Sequence, residues 1–131
     1  MPQTVPEKFR VLLIEDNPGD VFLMREMLDA ERKCRFYISE VAASLAEGMR
    51  HIKEGRFDLV LLDLSLPDCH DLESFSRVRA AAPTLPIVIL SDRDDTEYAL
   101  EAVQHGAQEC LVKGRIDEEV WSRLHILPWG Y

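Results

Sequence analysis

Four apolar stretches of this chain each run into a residue that could do chemistry. "VLLIED" ends in Glu15 and Asp16, "LVLLD" in Asp63, "PIVILS" in Ser91 and "CLVK" in Lys113. The end of a greasy run is an expensive place for a carboxylate unless something meets it there. Brought to one rim, these residues would supply three carboxylates, a hydroxyl and an ammonium. Clustered carboxylates repel one another and favour a hard divalent cation. Magnesium suits such a site, because it takes one or two protein carboxylates, keeps several waters and often sits beside phosphate oxygens. A carboxylate held there can attack phosphorus and form an acyl phosphate. A metal ion and a lysine would offset charge on the transferring group, and a hydroxyl could donate to a phosphoryl oxygen.

Those residues share a rim only if the elements behind them run the same way. "FRVLLIE" (9–15) reads as the first strand. "NPGDVFLMREMLDAE" reads as a helix with Asn17 as N-cap and Pro18 at the first helical position. Val21, Met24 and Leu28 form its apolar stripe at i, i+3 and i+7. "FYISEVA" (36–42) is a weaker strand. "SLAEGMRHIKEG" opens with Ser44 and Glu47 in capping-box spacing, ends at Gly55, and carries Leu45, Met49 and Ile52 on one face. The third strand spans 58–63, and a helix over 71–82 follows with Leu72, Phe75 and Val78, stopped by "AAPTLP". "PIVILS" (86–91) is the fourth strand, "DTEYALEAVQHGA" a helix ending near Gly106, and "QECLVK" (108–113) the fifth strand. "DEEVWSRLHIL" is the last helix, with Ile116, Val120, Leu124 and Leu127 along one face and Pro128 as its stop.

Five rounds of strand then helix predict an α/β fold: a parallel sheet with right-handed crossovers and helices on both faces. The first, third and fourth strands are nearly continuous apolar runs, as strands covered on both sides should be. In such sheets ligands bind beyond the carboxyl ends of the strands, where the acidic residues, Ser91 and Lys113 collect.

The chain's 131 residues suit one domain, here 1–131 with a core over about 9–127 and loose termini at 1–8 and 128–131. Its formal net charge of -9 argues against a broad footprint on nucleic acid, so no direct nucleic-acid binding is expected. Cys34, Cys69 and Cys110 are scattered and form no CxxC pair, which disfavours zinc and disulfides and fits a reducing cytoplasm. All three read as ordinary thiols. Adjacent Cys69 and His70 make a poor chelate, and Trp121 reads as packing. "MPQTVPEKFR" lacks the apolar region of a signal peptide, and no apolar run is long enough to span a membrane.

Taken together, "VLLIEDNPGD", "LVLLDLSLPD", "PIVILS" and "GAQECLVK" resemble the receiver domain of two-component response regulators, the CheY-like superfamily. The resemblance covers about residues 9–127. It implies a flavodoxin-like five-stranded parallel sheet in order 2-1-3-4-5. It also implies that Asp63 is phosphorylated by a sensor histidine kinase or phosphotransfer protein. Glu15 and Asp16 match the acidic pair that holds Mg2+, with Asp16 the direct ligand, and Asp63 and the backbone carbonyl of Ser65 join them. Ser91 matches the switch hydroxyl and Lys113 the lysine that pairs with the phosphoryl group. The signal would pass to a downstream protein through the face of the fourth helix, fifth strand and fifth helix, with a homodimer through that face as a further family trait. No separate substrate would be turned over.

Four residues depart from the family pattern. Asp92 stands where a small residue usually follows the switch hydroxyl, and would place a second carboxylate near the phosphoryl group. Cys110 replaces the switch aromatic. Asp71 replaces a loop glycine, and Gly114 follows Lys113 in place of proline. The first three motivate an alternative reading, a phosphorylation-independent pseudo-receiver acting as an interaction module. A haloacid-dehalogenase-type phosphatase fits poorly, because Ser65 stands where its second acid should be.

Overall fold

Parallel β-strands buried on both faces need apolar side chains in both directions, and the central strands have them. The computed structural model describes residues 8–30, 36–91 and 96–113. The elements alternate as β1 (Phe9–Ile14), α1 (Pro18–Ala30), β2 (Phe36–Ala42), α2 (Leu45–Glu54), β3 (Leu59–Asp63), α3 (Asp71–Ala81), β4 (Ile87–Ser91), α4 (Thr96–Gln104) and β5 (Glu109–Val112). Every residue of β3 and of β4 is buried. The five strands pair in parallel in the order β2-β1-β3-β4-β5. Fold class and strand order therefore agree with the sequence reading. The segment read as the last helix, together with Cys34, Asp92, Gly114 and Trp121, lies outside the described residues.

Alternation along each strand divides the core into two layers. Val11, Leu13, Leu59, Leu61, Val88, Leu90 and Leu111 face Met24 and Leu28 of α1. Leu12, Ile14, Val60, Leu62, Ile87 and Ile89 face Leu45 of α2, Phe75 and Val78 of α3, and Ala102 of α4. Helices thus cover both sides of the sheet. Burying these side chains contributes roughly 1.5–3 kcal/mol each before chain entropy is counted.

Helix starts and loop anchors fix the ends of the strands. At α1, Asn17 Oδ1 accepts from the Asp20 N–H at 3.1 Å, as expected of an N-cap before Pro18. At α2, Ser44 Oγ accepts from the Glu47 N–H at 3.2 Å, while Glu47 Oε2 accepts from the Ala43 N–H at 2.7 Å. The same helix approaches the end of β1 so closely that a Cβ at Gly48 would stand 2.5 Å from Ile14 Cδ1. Only glycine lets α2 press against the residue that precedes Glu15.

The sequence reading assigned no role to Asp68, and the structure supplies one. Its two carboxylate oxygens accept from the Leu45 and Ala46 N–H groups at 2.8 and 2.9 Å. The loop after β3 is thereby tied to the start of α2, with a carboxylate at the positive end of that helix. The same hydrogen bonds hold the Asp68 carboxyl below the usual range. Replacing Asp68 with alanine should destabilise the fold by about 1 kcal/mol, within the range of a lost helix cap. Urea unfolding would register it as a lower midpoint with an unchanged slope. An unchanged midpoint would mean that Ser44 alone satisfies the helix start.

Candidate functional site

The strand pairing aligns the four polar ends. Ile14 lies opposite Leu62, Asp63 opposite Leu90, and Ser91 opposite Val112. Glu15 follows β1, Asp63 ends β3, Ser91 ends β4 and Lys113 follows β5, so all of them reach the same edge of the sheet. The expected rim is assembled.

Lys113 stands at its centre. Its Nζ lies 2.7 Å from Glu15 Oε2, 3.0 Å from Asp20 Oδ2 and 3.1 Å from Asp63 Oδ1. Glu15 and Asp63 are each only 1 % exposed. Two buried carboxylates so close to one another would be untenable without a counter-charge, and the lysine supplies it. Glu15 also accepts from the Asn17 N–H through Oε1 at 3.1 Å. Glu15 Oε2 and Asp63 Oδ1 receive charge from the ammonium but no hydrogen bond of good geometry.

The proton affinities follow from this geometry. Burial pushes the Glu15 carboxyl up to about 7, against the opposing pull of Lys113 and with a further push from Asp63. Burial also raises Asp63, while Lys113 and the Ser65 backbone N–H work the other way. Burial alone would lower Lys113, but Glu15, Asp20 and Asp63 outweigh it and hold the ammonium firmly charged.

The same carboxylates fit a hard cation. One oxygen from each of Glu15, Asp16 and Asp63 can be chosen so that all three lie within 4.8 Å of one another. Asp16 is exposed at the mouth, where a metal ion could keep its waters. The donors are all oxygens, and two of the buried oxygens receive no hydrogen bond, so the residues suit magnesium. A separate cavity of about 660 Å³, lined by Phe57, Arg79, Pro86 and Gly106 among others, opens elsewhere. Arg79 there spends its Nη donors on the carbonyls of Ala82, Pro83, Leu85 and Gly106, so the cavity is walled by a structural staple.

This rim carries a family signature across the chain. The model of the response regulator receiver domain matches residues 11–125. The chain belongs to that family. It is 34% identical over 114 residues to the swarming motility regulation protein RssB of Serratia marcescens, covering 87% of this chain and 50% of that protein. It is 32% identical over 119 residues to the transcriptional regulatory protein BasR of Escherichia coli, covering 90% and 51%. The chain thus spans about half the length of these curated relatives. A crystal structure of a receiver domain protein from Clostridium thermocellum superposes with a TM-score of 0.75 at 21% identity, covering 89% of this chain and 91% of that one. Receiver domains are two-component signalling modules that bind Mg2+ at an acidic pocket, and this receiver domain has the acidic cluster.

Two placements went beyond the sequence reading. Asp20 was not anticipated as a rim residue. The clue was the "NPGD" motif: with Pro18 at the first helical position, Asp20 falls in the first turn of α1, beside the strand end that carries Glu15. The second concerns Ser91, which is fully buried, with its Oγ 3.7 Å from Cys110 Sγ on the neighbouring strand. Cys110, which stands where the family resemblance expects an aromatic residue, is therefore the partner of the Ser91 hydroxyl. Ser65 is exposed in the loop after β3 and bridges to His70, which precedes α3.

The raised carboxyls set a pH dependence. Glu15 binds its proton more tightly in the folded state than its ordinary value of 4.5 allows, up to about 7, and Asp63 shifts the same way. The folded chain therefore holds more protons than the unfolded one across that window. Their contribution to stability is full below about pH 4.5 and is lost as pH rises through about 7. In chelated buffer the melting temperature should fall over that interval, with Glu15 contributing on the order of 3 kcal/mol. Magnesium should flatten the slope, and Glu15→Gln should remove most of it. A melting temperature that rises across the interval would contradict the assignment.

Proposed function

We propose that this receiver domain accepts a phosphoryl group on Asp63 from a sensor histidine kinase or phosphotransfer protein. The observation that carries the reading is the Lys113 ammonium, 3.1 Å from the buried Asp63 carboxylate at a rim shared with Glu15 and Asp16. An Asp63 oxygen attacks phosphorus. The bond between phosphorus and the donor's histidine nitrogen breaks, and its electron pair stays on the imidazole, which takes up a proton from solvent. Asp63 becomes an aspartyl phosphate. Glu15, Asp16, Asp63 and the backbone carbonyl of Ser65 would hold Mg2+, which when bound neutralises charge on the transferring phosphoryl oxygens. Lys113 moves toward the new anionic oxygens, and Ser91 gives up Cys110 to donate to one of them.

The signal leaves by repositioning the face of α4 and β5, a local charge event biasing a two-state element. α4 presents apolar Leu100 and Val103 on its exposed side, which suits a protein target or a second copy of the chain. The reading treats 1–131 as a single receiver domain acting in the cytoplasm, turning over no separate substrate and touching no nucleic acid directly. Among the described residues no helix is long and apolar enough to cross a membrane.

Intact-mass measurement after incubation with magnesium and acetyl phosphate tests the central step. A single phosphoryl adduct is expected, absent in Asp63→Asn and absent after chelation. An adduct on Asp92→Gly but not on the native chain would show that Asp92 shuts a working site. No adduct on either, with no beryllofluoride binding, would leave the phosphorylation-independent interaction module as the function.

A further inference from the structure

Lys113 has three N–H donors and three carboxylates around it. A phosphoryl oxygen arriving at Asp63 would be a fourth anionic neighbour competing for the same ammonium. The three carboxylates are not equivalent. The Glu15 side chain is fully buried and that of Asp63 is 2 % exposed, whereas the Asp20 side chain is 29% exposed. Water can take over from the lysine at Asp20 alone. The first turn of α1 also favours a carboxylate there, whether or not the lysine stays.

Asp20 nevertheless meets the lysine as closely as Asp63 does, at 3.0 Å against 3.1 Å. Its bond from Lys113 Nζ has hydrogen-bond geometry, which the contacts to Glu15 Oε2 and Asp63 Oδ1 lack. Its position is also fixed, because the Asp20 N–H is bound to Asn17 at the helix start. A directed hydrogen bond to the lysine therefore comes from the residue that can most easily let go.

We infer that Asp20 is a positioning residue for Lys113 that competes with the phosphoryl group for its ammonium. Phosphorylation exchanges a Lys113–Asp20 bond for a Lys113–phosphoryl bond, with Asp20 released to solvent at the start of α1. Asp20 thereby sets how readily the site accepts and keeps a phosphoryl group. The inference rests on Asp63 being the phosphoacceptor.

The test is a titration with beryllofluoride, a phosphoryl mimic, in saturating magnesium, followed by fluorine NMR. Trace acetylation of Lys113, read by peptide mass, runs in parallel without the mimic. Asp20→Asn should bind beryllofluoride roughly three- to fivefold more tightly, the scale of a partly exposed ion pair, and should label faster at Lys113. Asp20→Ser, a second neutral variant, should follow it, and Asp20→Glu should stay near the native chain. Unchanged or weaker beryllofluoride binding in both neutral variants would overturn the inference. Tighter binding with unchanged Lys113 labelling would overturn it too, since Asp20 would then act only through its field. A native chain that binds no beryllofluoride would instead overturn the phosphoacceptor reading, and this inference with it.

Discussion

One ammonium makes this site possible. Glu15 and Asp63 lie buried at adjacent strand ends, and either carboxylate alone there would cost several kcal/mol of lost hydration. Lys113 meets both, and the compensation works only if three strands end in register. A slip of one residue in β3 would turn Asp63 to the other side of the sheet and leave Lys113 with no partner in that strand. The apolar runs of β1, β3 and β4 do more than fill a core. They fix the register, and the register brings charges from positions 15, 63 and 113 to about 3 Å.

Less conspicuous contacts guard the same alignment. Gly48 lets α2 press on Ile14, which sets where Glu15 leaves the sheet. Asp68 ties the loop after Asp63 to the start of that helix, so the segment bearing Ser65 is held at both ends. Arg79 ties the end of α3 to the turn after α4 through the Gly106 carbonyl, away from the rim. None of these touches the chemistry. Each limits how far the strand ends can drift when charge at the rim changes.

Much of this was legible in the sequence because the signals were local. Alternation of apolar runs and helical stripes marked the elements, and Asn17-Pro18 and Ser44 with Glu47 marked two helix starts that the structure reproduces. The carboxyl-end rule then named Glu15, Asp63, Ser91 and Lys113 as neighbours. Asp20 escaped because its role depends on how α1 packs against the end of β5, a contact between residues 93 positions apart with no periodic signature. Asp68 escaped because it sits in the same stretch as Asp63 yet serves a different helix. The Ser91–Cys110 contact depended on strand adjacency, which followed from the family resemblance but not from spacing.

That contact bears on how a receiver domain works without its aromatic switch. Burial raises the Cys110 thiol, outweighing the Ser91 hydroxyl beside it, so at neutral pH the sulfur stays protonated. A neutral thiol 3.7 Å from a hydroxyl is a weak partner. Under the proposed function Ser91 would therefore give up little on turning toward a charged phosphoryl oxygen, a hydrogen bond roughly twice as strong as a neutral one. Nor does a thiol sweep out the volume of an aromatic ring when it is released. Little of the switching energy can then reside in the Ser91–Cys110 pair. In the proposed function it resides in the redistribution of Lys113 among Glu15, Asp20 and the modified Asp63, which moves charge between the sheet edge and the first turn of α1.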